Sequence, residues 1–465
     1  MTRALVVAAP ASGSGKTTVA TGLMAALTRR GTAVAPFKIG PDYIDPGYHA
    51  LAAGRPGRNL DPVLVGPDRI GPLVRHGSAG CEVAVIEGVM GLFDGRVSDG
   101  AGSTAQVAGL VGAPVVLVVD CRGQSRSLAA LLHGFRSFDP DTAIAGVILN
   151  RVGSPRHEEV LRAACDEVGL PVLGALPRRT ELAVPSRHLG LVTAAEHGRA
   201  ALAAVDAMAE LIAAHVDLDA VLGVARPLPP GETWDPTTAL APRVAHPDPR
   251  VAPLDPRVAP LDPRVRRPVT AMLGGPAFSF GYAEHVELLE AAGSEVVLVD
   301  PLRDEALPDG TGGLVLPGGF PEEHVAALGE NVKLLLAIRD LAAAGAPIRA
   351  ECGGLLYLCR ELDGIPLVGA LDATAAMTGR LTLGYREAVA LTESSGFAAG
   401  ARISGHEFHH CAVTPRAGAT PAWGWRGAEP EGFVQDGIHA SFLHTHPAGD
   451  PGSVARFVAA HPHAR

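Results

Sequence analysis

The stretch Ala9-Pro10-Ala11-Ser12-Gly13-Ser14-Gly15-Lys16-Thr17-Thr18 constrains this chain more than any other. It follows an apolar run, Ala4–Ala8, that reads as a buried strand, and precedes Val19–Leu27, whose apolar spacing predicts a helix. Strand, glycine loop, Gly-Lys-Thr and helix is the layout of a phosphate-binding loop. Glycines let successive backbone N–H groups curl around a phosphate, the helix N-terminus adds partial positive charge, and Lys16 adds a full one. Gly13, Ser14, Gly15, Lys16, Thr17 and Thr18 are therefore the expected nucleotide contacts, with the Thr17 hydroxyl directed to a magnesium ion. Pro10 stands where the strict motif has its first glycine, so the layout carries the reading rather than the bare pattern.

At 465 residues the chain is too long for one ordinary core. A content of 47% hydrophobic and 19% charged residues excludes a disordered chain. The formal charge of −10 argues against a general nucleic-acid binder but allows a local basic pocket for an acidic substrate. The six cysteines are scattered without a CxxC pair, so neither a zinc ribbon nor a disulfide framework is expected. No signal-like start and no bilayer-length apolar run is apparent, which makes the cytoplasm the expected compartment and excludes a membrane partner.

The first half alternates. Strands are expected at Ala4–Ala8, Ala33–Phe37, Val83–Ile86, Pro114–Val119, Ala143–Leu149 and Val172–Ala175. Helices are expected between them, including Ser125–Phe135, His157–Val168 and Glu196–His215. This βαβ rhythm predicts a mostly parallel sheet covered on both faces, with ligands at the carboxyl ends of its strands. Three groups fall there. Lys38-Ile39-Gly40-Pro41-Asp42-Tyr43-Ile44-Asp45-Pro46 brings a lysine and two carboxylates into one loop, fit to hold Mg²⁺ or to orient a substrate group. Glu87 ends a hydrophobic strand beside the P-loop, the usual second anchor for Mg²⁺, and Asp94 follows as a contact for substrate or water. Asn150 ends another strand, where its amide suits either a nucleobase edge or a helix N-cap.

From Arg243 to Arg264 a seven-residue unit repeats: Arg-Val-Ala-His-Pro-Asp-Pro, then Arg-Val-Ala-Pro-Leu-Asp-Pro twice. Its prolines forbid a helix, so it reads as a semi-extended linker. The expected division is 1–225, a linker at 226–267, and a second domain at 268–465.

The second half opens with a strand at Val269–Leu273, a helix over Tyr282–Ala292 and a strand at Glu295–Val299. Ile348-Arg349-Ala350-Glu351-Cys352-Gly353-Gly354 then reads as a nucleophile elbow, in which a sharp turn exposes the sulfur and the helix N-terminus is expected to lower the thiol pKa. Gly318-Gly319, with Gly353, would supply backbone donors to an oxyanion. His439, His444 and His446 are candidate bases far along the chain. Cys359, on an apolar helical face, is read as core. His406, in Gly-His-Glu-Phe-His-His, lacks a completed metal set and is assigned to substrate contact or structure.

Together these motifs, in this order over nearly the whole chain except the repeat, resemble those of the cobyrinate and hydrogenobyrinate a,c-diamide synthases of cobalamin biosynthesis. The resemblance implies an α/β protein in two parts: an N-terminal P-loop, parallel-sheet domain similar to dethiobiotin synthetase, and a C-terminal class I, triad-type glutamine amidotransferase domain. It implies ATP, L-glutamine and a corrinoid as small-molecule substrates, Mg²⁺ with the nucleotide, and leaves room for a homodimer. By the resemblance Cys352 is the nucleophile and His444 its base. Asp42 and Asp45 act in catalysis, Lys38 and Asn150 attend the nucleotide, and Tyr43, Asp94 and His406 face substrate. Thr17, Asp45 and Glu87 would hold the metal. In the wider class a glutamate follows the catalytic histidine by two positions, and in this chain that position is His446. The Gly-Pro-Asp-Tyr-Ile-Asp-Pro loop favours the a,c enzymes over a cobyric acid synthase-like amidase. A P-loop partitioning or regulatory ATPase would carry a signature lysine at the position of Ala11 and would not use a glutaminase half.

Overall fold

The computed structural model describes residues 1–178, 186–187, 190–191, 193–241 and 267–462, and the seven-residue repeat lies outside them. The chain forms two compact units, Met1–Trp234 and Asp235–Arg465.

In the first unit, β1 (Arg3–Ala8), β2 (Val34–Ile39), β3 (Arg58–Leu60), β4 (Val83–Glu87), β5 (Val115–Asp120), β6 (Ile144–Val152) and β7 (Val172–Pro177) form one sheet in the order β3-β2-β4-β1-β5-β6-β7. All neighbours along this path are parallel. Every residue of β2 and β4 is buried, the continuous apolar pattern of a sheet covered on both faces. Two short segments add to it in ways the apolar pattern did not show: β3 as an edge, and Arg226–Pro227, which pairs antiparallel with β1. Trp234 packs edge-on against His76, with ring centroids 4.9 Å apart. Residues 226–234, grouped with the linker on sequence grounds, thus lie within the first unit.

The P-loop leads into α1 (Lys16–Arg29), and α2 (Asp45–Ala53) follows β2. The helix expected over Glu196–His215 is broken: Ala194–His197 ends at Gly198, whose φ of 43° cannot continue a right-handed helix, and α3 (Arg199–His215) begins anew. α1 packs on α3 at Gly22, where an added Cβ would lie 2.7 Å from the Met208 carbonyl oxygen. Only glycine permits that approach, and it presses the helix behind the P-loop onto the body of the unit.

The second unit has a sheet of β8 (Val269–Leu273), β9 (Glu295–Val299), β10 (Thr311–Leu316), β11 (Ile348–Glu351), β12 (Phe433–Gln435 by space, last at the edge) and its hairpin partner β13 (Ile438–Ser441), in the order β9-β8-β10-β11-β13-β12. All pairs are parallel except the β12–β13 hairpin. A second sheet is built on the long antiparallel pair Thr374–Ala390 and Arg402–Thr414, against which the short strand His444–Thr445 pairs. The core of this unit buries Leu314, Leu316, Ile348, Tyr357 and Phe433. Full burial of one such side chain contributes roughly 1.5–3 kcal/mol. No helix among the described residues is long and apolar enough to cross a membrane.

Candidate functional sites

The P-loop and its carboxylate hub. Gly13 and Gly15 take φ values of 75° and 97°. At Gly15 a Cβ would also lie 2.3 Å from Asn150 Nδ2, so space as well as backbone geometry requires glycine. Asn150 Nδ2 donates to the Ser14 carbonyl at 2.8 Å, and its Oδ1 accepts from the Arg151 N–H. The amide thus braces the loop rather than capping a helix. Ser14 Oγ donates to the Ala11 carbonyl. Lys16 Nζ donates to the Met90 carbonyl at 2.5 Å, and burial, then the charge of Lys38, lowers its pKa. Thr18 lies in the first turn of α1.

Thr17, Lys38, Asp45 and Glu87 meet in one hub. Lys38 Nζ donates to Asp45 Oδ2 at 2.6 Å, to Glu87 Oε1 at 2.8 Å and to the Gly88 carbonyl at 3.2 Å. Thr17 Oγ1 donates to Glu87 Oε1 at 2.7 Å and lies 3.3 Å from Asp45 Oδ2. The two carboxylates are driven apart. Burial, then Asp42 and Glu87, pushes Asp45 up to about 7. Burial acts the same way on Glu87, but Lys38 and His49 hold it well below the usual carboxylate range. Lys38 is raised above its ordinary value: burial opposes its charge, and Asp45 and Glu87 outweigh burial.

Among the described residues no group of three or more His, Cys, Asp or Glu side chains could hold a metal ion. The donor set at the hub is instead one hydroxyl and two carboxylates, all hard oxygens converging beside the P-loop, and these fit Mg²⁺. Other expected contacts have other positions. Asp42 Oδ1 accepts from the backbone N–H groups of Ile44 and Asp45 and so shapes the start of α2. Asp94 Oδ2 accepts from the Gly91 N–H, within its own loop. Tyr43 is buried.

The cysteine elbow. Cys352 joins β11 to α4 (Gly353–Leu358) with φ 50°, a strained value for a residue with a Cβ. Its N–H donates to the Ser441 carbonyl at 2.8 Å, tying the elbow to the end of β13. Close packing dictates both following glycines: a Cβ on Gly354 would lie 2.2 Å from the Leu316 carbonyl oxygen, and one on Gly353 would lie 3.0 Å from the Gly319 nitrogen. The Gly318-Gly319 turn is thereby pressed against the elbow. A Cβ on Gly318 would in turn lie 2.5 Å from Cε1 of His444, so the imidazole abuts the same turn. Cysteine elbow, glycine turn and His444 are therefore gathered in one place.

The thiol corrects one expectation. Its pKa is raised well above the ordinary value, not lowered. Cys352 is only 4% exposed, and burial, the neighbouring Cys411 and the Glu322 carboxylate outweigh a helix of a single turn and a half. His444 is moved the other way: burial, then His406 and His409, hold its pKa well below the ordinary value. A neutral imidazole is the form a general base needs.

The three late histidines separate. His439 packs against Phe397 and Trp423, with centroid distances of 5.1 and 5.2 Å. His446 lies on Tyr282 at 4.0 Å, and its Nδ1 accepts from the Ala448 N–H. His406 is the register partner of His444 across the second sheet, their rings edge-to-face at 5.1 Å. Cys359 is fully buried, as expected of core.

Sequence reasoning missed Glu431. It is fully buried, accepting from Ser441 Oγ at 2.7 Å and the Phe442 N–H at 2.8 Å, and so braces the segment that holds the elbow. No local pattern marks it, because its partners lie in a strand ten residues on. Burial pushes its pKa up to about 7 from an ordinary 4.5. The folded state then keeps a proton that the unfolded chain releases. This stability is fully present below about pH 4.5 and is lost as pH rises to about 7, by about 3 kcal/mol at most. Glu431→Gln should flatten that loss, seen in urea unfolding followed through Trp423 and Trp425 fluorescence. Parallel pH profiles for the two proteins would refute this assignment.

Taken together, the sites define a P-loop nucleotide-binding unit joined in one chain to a cysteine-elbow amidotransferase unit. Residues 5–192 match the CobQ/CobB/MinD/ParA nucleotide binding domain, and residues 270–451 match the CobB/CobQ-like glutamine amidotransferase domain. The chain is 58% identical to the hydrogenobyrinate a,c-diamide synthase of Mycobacterium tuberculosis, over 98% of this chain and 97% of that one. It is also 58% identical to the protein of that name from Streptomyces coelicolor, over 98% and 96%. With the cobyrinate a,c-diamide synthase of a Synechococcus species the identity is 38%, over 98% of each chain. The chain belongs to the hydrogenobyrinate and cobyrinate a,c-diamide synthase family.

Proposed function

We propose that this protein is a carbon–nitrogen ligase that amidates the a and c acetate carboxylates of hydrogenobyrinate or cobyrinate, using ATP and glutamine. The observation that carries the reading is the pairing, in one chain, of the Thr17–Lys38–Glu87 hub at a P-loop with a strained cysteine elbow beside His444.

The chemistry divides between the units. A carboxylate oxygen is a poor leaving group, so the acid must first take the γ-phosphoryl group of ATP. Ammonia then attacks the carboxyl carbon, and phosphate leaves with the C–O bond electrons. Lys16 exchanges its bond to the Met90 carbonyl for phosphate oxygens, and Lys38 stands ready beside the same charge. Thr17, Asp45 and Glu87 would hold Mg²⁺, which when bound offsets charge on the transferring phosphoryl group. Asp42 shapes the loop that carries Tyr43, Asp94 orders its own loop, and in this reading Tyr43 and Asp94 face the substrate.

In the other unit the Cys352 sulfur attacks the side-chain amide carbon of glutamine. His444 takes the thiol proton and gives it to the departing nitrogen, which leaves as ammonia. Water then cleaves the thioester to glutamate. The raised thiol and lowered imidazole pKa values keep both groups neutral at rest, and the thiolate forms only as its proton passes to His444. Backbone N–H groups of the Gly318-Gly319 turn and Gly353 would meet the oxyanion. The same reading places the reaction in the cytoplasm.

Purified protein with ATP, Mg²⁺, glutamine and either the metal-free or the cobalt-containing acid should yield two successive mass losses of about one unit, acid to amide. Absence of both products from both acids, with amidation of another tetrapyrrole acid instead, would favour a cobyric acid synthase-like reading.

A further inference from the structure

His49 lies one helical turn beyond Asp45 on α2, and neither the expected site nor the family motif gives it a task. It is fully buried, and its Nε2 lies 2.7 Å from Glu87 Oε2. The opposite oxygen, Oε1, accepts from Thr17 Oγ1 at 2.7 Å and from Lys38 Nζ at 2.8 Å. One carboxylate is thus gripped from both sides, and its two oxygens have separate partners. Residues 45 and 49 share a helix face, so one turn of α2 brings both Asp45 and His49 to the hub.

We infer that His49 is a positioning residue, which by holding Glu87 Oε2 aims Oε1 at Thr17 and the incoming magnesium–nucleotide. The inference rests on the reading of Thr17, Asp45 and Glu87 as the oxygen set for Mg²⁺. A carboxylate with no donor on Oε2 is free to rotate about its terminal torsion, and a buried oxygen left without a partner favours that rotation. Rotation toward Lys38 with both oxygens is then the nearest relief, and it withdraws Oε1 from Thr17. Partners behind a metal ligand typically account for about 10–100-fold in metal affinity or activity.

The test uses the full-length protein and a non-hydrolysable ATP analogue, titrated calorimetrically with and without Mg²⁺. In His49→Ala the affinity without Mg²⁺ should stay within about twofold of wild type, while the gain on adding Mg²⁺ shrinks about 10-fold or more. Ammonia-driven synthesis should lose kcat with little change in the KM for ammonia, and glutamine hydrolysis should be untouched. His49→Gln can offer a side-chain N–H to Oε2 and should recover most of the Mg²⁺ effect. An unchanged Mg²⁺ dependence in His49→Ala overturns the inference. So does a His49→Gln variant as impaired as His49→Ala whose losses appear equally without Mg²⁺, because that marks a purely structural residue. Glu87→Gln separates the two levels. If it too keeps the wild-type Mg²⁺ dependence, the oxygen-set reading fails; if it alone loses the dependence, only the role of His49 fails.

Discussion

Cys352→Ser should abolish glutamine-driven amidation, by on the order of 1000-fold or more, while synthesis from added ammonium salt stays within about twofold of wild type. Serine tolerates the same φ of 50° no better and no worse than cysteine, so the elbow should keep its shape and only the sulfur is lost. The hydroxyl is a far weaker nucleophile with the same neutral base, and no other group at the elbow replaces it. Product mass after parallel incubations with glutamine and with ammonium checks both halves of the expectation. If ammonium fails to restore synthesis, the division of labour between the two units is wrong.

Lys16→Ala should give the complementary result. Synthesis from glutamine and from ammonium should both fall by at least about 100-fold, because in the proposed reading charge on the transferring phosphoryl group loses a cation of the P-loop. The resting geometry explains why the loss is large. Lys16 is buried 74 residues in sequence from the carbonyl it touches, and burial together with Lys38 depresses its pKa, so an arriving polyphosphate relieves an unfavourable charge. Glutamine hydrolysis at Cys352 should persist, measured as glutamate release without ATP. Retention of ammonium-driven synthesis in this variant would show that the P-loop does not serve the activation step.

Much of this was legible in the chain because it is local. A P-loop is contiguous, and its glycines report a backbone that must turn with positive φ. The parallel strands announce themselves as apolar runs, and Glu87 stands out as a carboxylate at the end of one. The cysteine elbow is likewise a single strand-turn-helix segment, with Gly353 and Gly354 marking where the backbone must pass close to Leu316 and Gly319. Short paired segments such as β3 and Arg226–Pro227 were invisible because three or two residues carry no periodicity.

By itself the sequence determined the two units' folds and the family, and it singled out the elbow that carries Cys352, since each is encoded in contiguous patterns of apolar spacing, glycine and motif. Tertiary structure alone decided the electrostatics. It gave Asp45 and Glu87 opposite shifts, raised the Cys352 thiol where a helix N-terminus promised to lower it, and packed His439 and His446 against aromatic rings while setting His444 at the glycine turn. The reason is physical. A pKa depends on burial and on charges brought near by folding, and neither His49 against Glu87 nor Glu431 against Ser441 can be read before the chain has closed those distances.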